Sequence, residues 1–173
     1  DNLRGEKIKV VLISMAGSEG GGFKNIRQIH ILDPWFNMSR IEQIIGRGVR
    51  TCSHKMLPFK ERNVQLFMYA SQLTDNLLEI AADMHIYNLA EQKAIKVGNI
   101  SRLLKENAVD CILNHDQTNF AADKINTSVY ITLSTTETIH FPVGDKPYSS
   151  ACDYMENCSF ECTPNKPNLV VNM

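Results

Sequence analysis

The front of this 173-residue chain is predicted to form an α/β layer fold, a parallel sheet backed by helices. Three observations carry that expectation. A β-branched run at Lys7–Ser14 ends in the glycine-rich stretch Gly17–Gly22. Two further strand patterns, Arg27–Asp33 and Asn63–Ala70, flank a segment with helical spacing. Past Ser71 the texture turns helical, and past Asp116 it becomes short alternating runs and an irregular, Cys-containing tail.

The first run, Lys7-Ile8-Lys9-Val10-Val11-Leu12-Ile13-Ser14, alternates and then becomes continuously apolar, as in a strand buried on both faces. The second strand stops at Pro34, which has no N–H to donate. Ser39 and Glu42 form a capping-box pattern, the serine oxygen accepting from the Glu42 N–H and the Glu42 carboxylate from the Ser39 N–H. Ile41, Ile44, Ile45 and Val49 then recur at helical spacing and should face the sheet. That puts Gln43, Gly46, Arg47 and Arg50 on the adjacent face. Leu77, Ile80, Ala81, Met84 and Asn88 mark a helix running to about Lys96 and broken at Gly98-Asn99. Ile100, Leu103, Leu104, Ala108, Cys111 and Ile112 mark another, with Cys111 on its apolar stripe as a buried thiol. Val129, Ile131 and Leu133, then Ile139, Phe141 and Val143, read as a hairpin turning at Ser134–Glu137. The expected organisation is an α/β part at 1–72, a helical extension at 73–117 and a small β and irregular segment at 118–173.

No run of 18 apolar residues exists, so no membrane-spanning helix is expected. The N-terminus lacks a basic-then-apolar signal, and both ends read as cuts in a longer polypeptide. An odd number of cysteines without such a signal points to an intracellular, reducing compartment, with thiols free or bound to metal. Cys152, Cys158 and Cys162 are the zinc candidates, a weak set because zinc prefers four ligands and tighter pairs. Net charge is −1, yet Lys24, Arg27, Arg40, Arg47, Arg50, Lys55, Lys60 and Arg62 face only Asp33, Glu42 and Glu61 in the same span. That local excess suits a phosphate-bearing partner or a solvated basic face.

Gln43-Ile44-Ile45-Gly46-Arg47-Gly48-Val49-Arg50 carries the strongest chemistry. A guanidinium stays charged at working pH and can grip a phosphate through two N–H groups. In isolation Arg47 and Arg50 would read as surface helix residues. The Ser14–Phe23 turn behind a buried strand changes that, because its glycines let backbone N–H groups face an anion. No Gly-Lys-Ser/Thr follows, so the turn is not a phosphate-binding P-loop, and the spacing is a poor dinucleotide fingerprint. Trp35 and Phe36 could stack on bases, but their place before a helix favours packing.

The combined pattern resembles the C-terminal RecA-like half of superfamily 2 helicases, with Ser14–Gly22 similar to motif V and Gln43–Arg50 to motif VI. The stretches Arg27–Asn37, Arg40–Gln43 and Arg50–His54 resemble the poxvirus-type branch of large DNA viruses. Members there are the early-transcription-factor small subunit and nucleoside-triphosphate phosphohydrolase. The likeness is strong over Lys7–Ser71, weaker through Asn114 and faint beyond. It implies a partial RecA-like domain whose Arg47 and Arg50 reach the γ-phosphate of ATP as arginine fingers. Gln43, Gly46, Gly20 and Gly22 would contact or couple to the nucleotide, and Ser14 and Gly17 the nucleic-acid backbone. Ile44 stands where many relatives carry another arginine, and Gly22 where many carry Asp or Asn.

The phosphate loop and paired acids that would hold ATP and Mg²⁺ are missing from these residues and are expected on an N-terminal RecA-like half. The implied protein is an ATP-dependent helicase or translocase in viral transcription, inactive as this piece alone. Its partners would be nucleic acid, DNA ahead of RNA, and a viral RNA polymerase, in the virion or host cytoplasm. The alternative is a non-catalytic module, derived from a helicase, that binds nucleic acid or a transcription complex.

Overall fold

The second and third expected strands form as β1, Gln28–Ile31, and β2, Gln65–Met68, and pair in parallel. Helix α1, Met38–Gly48, connects them, the kind of crossover that parallel neighbours require. The computed structural model describes residues 2–14, 22–74, 79–118 and 127–163. The chain divides into two units, Asp1–Glu91 with Thr132–Thr138, and Gln92–Ile131 with Ile139–Met173.

In the first unit Ile29 lies opposite Leu66 and Ile31 opposite Met68, so these four side chains share one sheet face. Ile31, Ile41 and Leu57 anchor the core, each 5% exposed or less. Gly48 closes α1 onto β1: a Cβ there would stand 2.8 Å from Ile29 Cδ1 and 3.2 Å from Ile26 Cγ2. Only glycine permits that approach without displacement. On the other sheet face His30 stacks on Phe67 with ring centroids 4.6 Å apart, and its Nδ1 lies 2.8 Å from the Tyr69 hydroxyl.

Several expectations are corrected here. Lys7–Ser14 forms no strand, and Val10 and Leu12 are 74% and 88% exposed. A strand buried on both faces needs hydrogen-bonded neighbours and cover, and among the described residues β1–β2 is the only parallel ladder. The segment instead turns around Asn2, whose Oδ1 accepts from the Lys7 and Ile8 amides. The capping box does not set the start of α1. Asn37 is the N-cap, without a side-chain cap bond, and Ser39 already lies inside the first turn. The helix expected from Leu77 begins at Ala82 as α2; Ala81 is buried, Ile80 and Met84 are exposed, and Leu77 lies outside the described residues.

Gly98-Asn99 break nothing, since α2 runs unbroken over Ala82–Asn107. Gly98 serves close packing instead: a Cβ would overlap the Asp153 carbonyl oxygen and lie 2.7 Å from its carbon. In the second unit the buried positions of α2 are therefore Ala94, Gly98 and Arg102, spaced by four. Ile100, Leu103 and Leu104, expected in the core, are 61%, 59% and 67% exposed. A short helix, α3 at Cys111–Thr118, follows. The hairpin forms as β3, Ser128–Thr132, and β4, Thr138–Pro142, closed by the Leu133 amide donating to the Glu137 carbonyl.

The second unit is organised around one buried cation. Arg102, 6% exposed, donates from Nε to Asp153 Oδ2 at 2.9 Å and from Nη1 to the Ser159 carbonyl at 2.9 Å. Its Nη2 reaches the carbonyls of Cys152 and Asn157, and Lys105 Nζ donates to Asp153 Oδ1 at 2.6 Å. Burial of a charge is costly unless its bonds are satisfied, and this guanidinium has a partner on every nitrogen. The expected thiols are corrected as well: Cys111 pairs with Cys162, and Cys152 with Cys158. A turn containing left-handed Asp153 and Tyr154 brings the second pair within 4.5 Å between Cα atoms. Paired sulfurs leave no thiolate for zinc, and no cluster of three metal-binding side chains occurs among the described residues. Cys52 is the free, exposed cysteine.

Candidate functional site

Helix α1 and the loop after it carry the predicted cations. Gln43 is exposed on α1, and nothing lies within 4 Å of where a Gly46 Cβ would be, so this face is open to an incoming group. Arg47 occupies the last turn, half-buried, with its Nε withdrawn from solvent. Sequence spacing places Arg50 on the same helix, three residues on. The structure differs, because α1 ends at Gly48 and Val49 leaves helical geometry at φ −100° and ψ 88°. Arg50 is thus presented by a loop rather than by helical periodicity.

That loop brings two predicted segments together. The Arg50 guanidinium lies on Gly22, where a Cβ would be 2.5 Å from Nη1 and 3.7 Å from Cζ. Nearby the Phe23 amide donates to the Arg47 carbonyl at 3.4 Å. The glycine-rich segment and the arginine segment therefore meet at Gly22, Phe23, Arg47 and Arg50. Gly17 and Gly20 lie outside the described residues. Ser14 is exposed in an irregular segment.

Ser53 and His54, to which the sequence reading assigned no role, knit this junction. The Ser53 amide donates to the Arg50 carbonyl at 3.0 Å, and the Asn25 amide to the Ser53 carbonyl at 3.2 Å. His54 Nε2 lies 2.6 Å from the Ile26 carbonyl, and its Nδ1 2.8 Å from Ser53 Oγ. The available signals were the polar Ser-His pair three residues past the second arginine and its place in the Arg50–His54 stretch that carries the family resemblance.

Other predicted features sit apart from the junction. Arg40 lies over the Trp35 ring, 4.3 Å from its centroid, so that ring face is already engaged. Arg27 bonds Asn63 and lies 3.8 Å from Glu61, while Arg62 donates to the carbonyls of Leu57 and Lys55. In the first turn of α2, Asp83 accepts from both the hydroxyl and the amide of Ser71, which lies just past β2. These bonds hold its carboxyl below the usual Asp range, the hydroxyl contributing most. Burial, and then the Asp83 charge, raise Tyr87 above the usual phenol value.

Sequence comparison places the chain beside viral proteins. It is 38% identical over 118 residues to a protein of Acanthamoeba polyphaga mimivirus named as an ATP-dependent RNA helicase, covering 65% of this chain and 14% of that protein. It is 33% identical over 166 residues to a protein of Invertebrate iridescent virus 3 named as a helicase, covering 94% of this chain and 14% of the relative. The nucleoside triphosphatase I of Melanoplus sanguinipes entomopoxvirus is 39% identical over 113 residues, covering 65% of this chain and 17% of that protein. The chain thus spans less than a fifth of these relatives' length. No family model and no solved structure matches it. The chain is a homologue of viral helicases and nucleoside triphosphatases, and no helix among its described residues is long and apolar enough to cross a membrane.

Proposed function

We propose that this chain is the C-terminal part of an ATP-dependent nucleic-acid helicase or translocase of superfamily 2. Residues 1–72 form part of a RecA-like half, 73–117 extend it as helix, and 118–173 form the small β and irregular segment. Arg47 and Arg50 act as arginine fingers on ATP and Mg²⁺ held by an N-terminal half. Gln43, Gly46, Gly20 and Gly22 contact the nucleotide or couple to it, and Ser14 and Gly17 meet the nucleic-acid backbone. The observation that carries this reading is the Arg50 guanidinium resting on Gly22, because it joins the charge that would sense the γ-phosphate to the loop that would move the strand. The process served is viral transcription, beside a viral RNA polymerase, in the virion or host cytoplasm.

Transferring arginines stabilise charge on the migrating phosphoryl group, and losing one costs on the order of 10³–10⁵ in rate. In the complete polypeptide, Arg50→Ala should abolish ATP turnover while leaving ATP binding nearly intact. Wild-type turnover in that variant overturns the assignment. The 173-residue chain alone should hydrolyse no ATP, lacking a phosphate loop and the paired acids. Stimulation by single-stranded DNA against RNA of the same sequence identifies the track; the sequence expectation is DNA, whereas the mimivirus relative's name points to RNA.

A further inference from the structure

We infer that Ser53 and His54 form a strut that positions Arg50, a role that rests on the proposed function. The bond roles follow from chemistry. A carbonyl can only accept, so the 2.6 Å contact to the Ile26 oxygen places the ring proton on His54 Nε2. In the neutral ring Nδ1 then accepts, and the Ser53 hydroxyl donates to it at 2.8 Å. Ser53 is 8% exposed, so little solvent competes for this hydroxyl. Its Oγ also stands 3.5 Å from the Gly48 carbonyl, at the end of α1.

The backbone closes the same frame. Ser53 N–H is bonded to Arg50 itself, and Ser53 C=O receives the Asn25 N–H. The loop carrying Arg50 is therefore tied at two successive residues to Asn25–Ile26, one residue past the Gly22–Phe23 segment. Because α1 has already ended at Gly48, helical periodicity does not hold Arg50. The strut supplies that constraint, and His54 acts through Arg50 without touching nucleotide. Misplacing a reacting group by about 1 Å can cost roughly 10²-fold in rate, so the strut bears on turnover more than on ATP binding.

In the complete polypeptide, His54→Ala should lower kcat by about 10–100-fold with the KM for ATP unchanged. His54→Gln, whose amide can still donate to the Ile26 carbonyl, should recover most of that loss. Loss of ATP binding in His54→Ala in step with the loss of kcat would mean a general structural lesion and overturn the inference. A second readout is independent of catalysis: a spin label on Cys52, the free cysteine inside this loop, attached to the 173-residue chain. Label mobility should rise in His54→Ala and return in His54→Gln. Unchanged mobility overturns the strut, whereas wild-type turnover in Arg50→Ala overturns the function and leaves the mobility result to decide the strut.

Discussion

Arg50 and Arg102 show the same side chain in opposite uses. Arg102 is buried, and its nitrogens are spent on Asp153 and three backbone carbonyls. Arg50 is exposed, placed by a loop, and rests on a glycine. A saturated guanidinium has little left for a ligand and holds together the backbone segments around it. An accessible one on an open surface can take an anion. The second unit thus uses charge to hold itself together, and the first unit, on the function proposed above, presents it to a nucleotide.

The sharpest way to break this contrast is to exchange the costs. Arg102→Met should destabilise the chain by about 3–5 kcal/mol, the scale for removing one partner of a buried ion pair. Lys105 still bonds Asp153, so the loss should fall in the lower half of that range. Arg50→Ala should change stability by no more than about 0.5 kcal/mol, as for an exposed substitution. Denaturant midpoints of the two variants decide the matter. Equal losses would show that Arg50 is also a structural cation.

Glycine sharpens the comparison further. In an exposed helix, replacing Gly with Ala gains about 1 kcal/mol. At Gly98 the sign should reverse, because the new methyl group would overlap the Asp153 carbonyl; overpacking of this kind costs about 1–3 kcal/mol. At Gly22 the obstacle is the tip of a flexible arginine, which can swing aside. Gly22→Ala should therefore leave the melting temperature nearly unchanged, while Gly98→Ala lowers it. A stabilised Gly98→Ala would mean that the tail does not clasp α2 at this point.

These two glycines also mark what was legible beforehand. The β1–α1–β2 order could be read, because Ile41, Ile44 and Ile45 recur at helical spacing between two strand patterns, and local periodicity is a property of neighbouring residues. Gly98 could not, since its meaning lies in a carbonyl at Asp153, far along the chain. Periodicity also misplaced Ile100, Leu103 and Leu104, which are apolar yet exposed, because the small residues Ala94 and Gly98 admit the tail and define the buried side. An odd cysteine count without a secretory signal pointed to thiols free or bound to metal, where the structure pairs four of the five. At the candidate site, Arg47 and Arg50 stood out by chemistry. Their different settings did not, because α1 ends at Gly48, which packs closely on Ile26 and Ile29, before Arg50 is reached.

The smallest expected effect contrasts two carboxylates. Asp153 is buried between Arg102 and Lys105, whereas Asp83 works at the surface, accepting the Ser71 hydroxyl at 2.6 Å and amide at 2.8 Å. Both bonds favour the ionised form and lower the folded-state pKa of Asp83. A depressed folded value means that the carboxylate stabilises the native state above the unfolded Asp pKa, and that this contribution fades as pH falls through the folded value. Solvent screening keeps the effect slight. An NMR titration of the Asp83 carboxyl should show a midpoint below that of an unstructured aspartate, with the Ser71 amide shift following the same curve. Asp83→Asn should also bring the Tyr87 phenol part of the way down, leaving it raised because burial is its larger cause. An Asp83 midpoint at or above the ordinary value would mean that Ser71 does not cap it in solution. In that case the first unit would keep only the Tyr87 hydroxyl's bond to the Tyr69 carbonyl among the described ties between the end of β2 and the start of α2, and its surface would be looser than the Ser71 bonds imply.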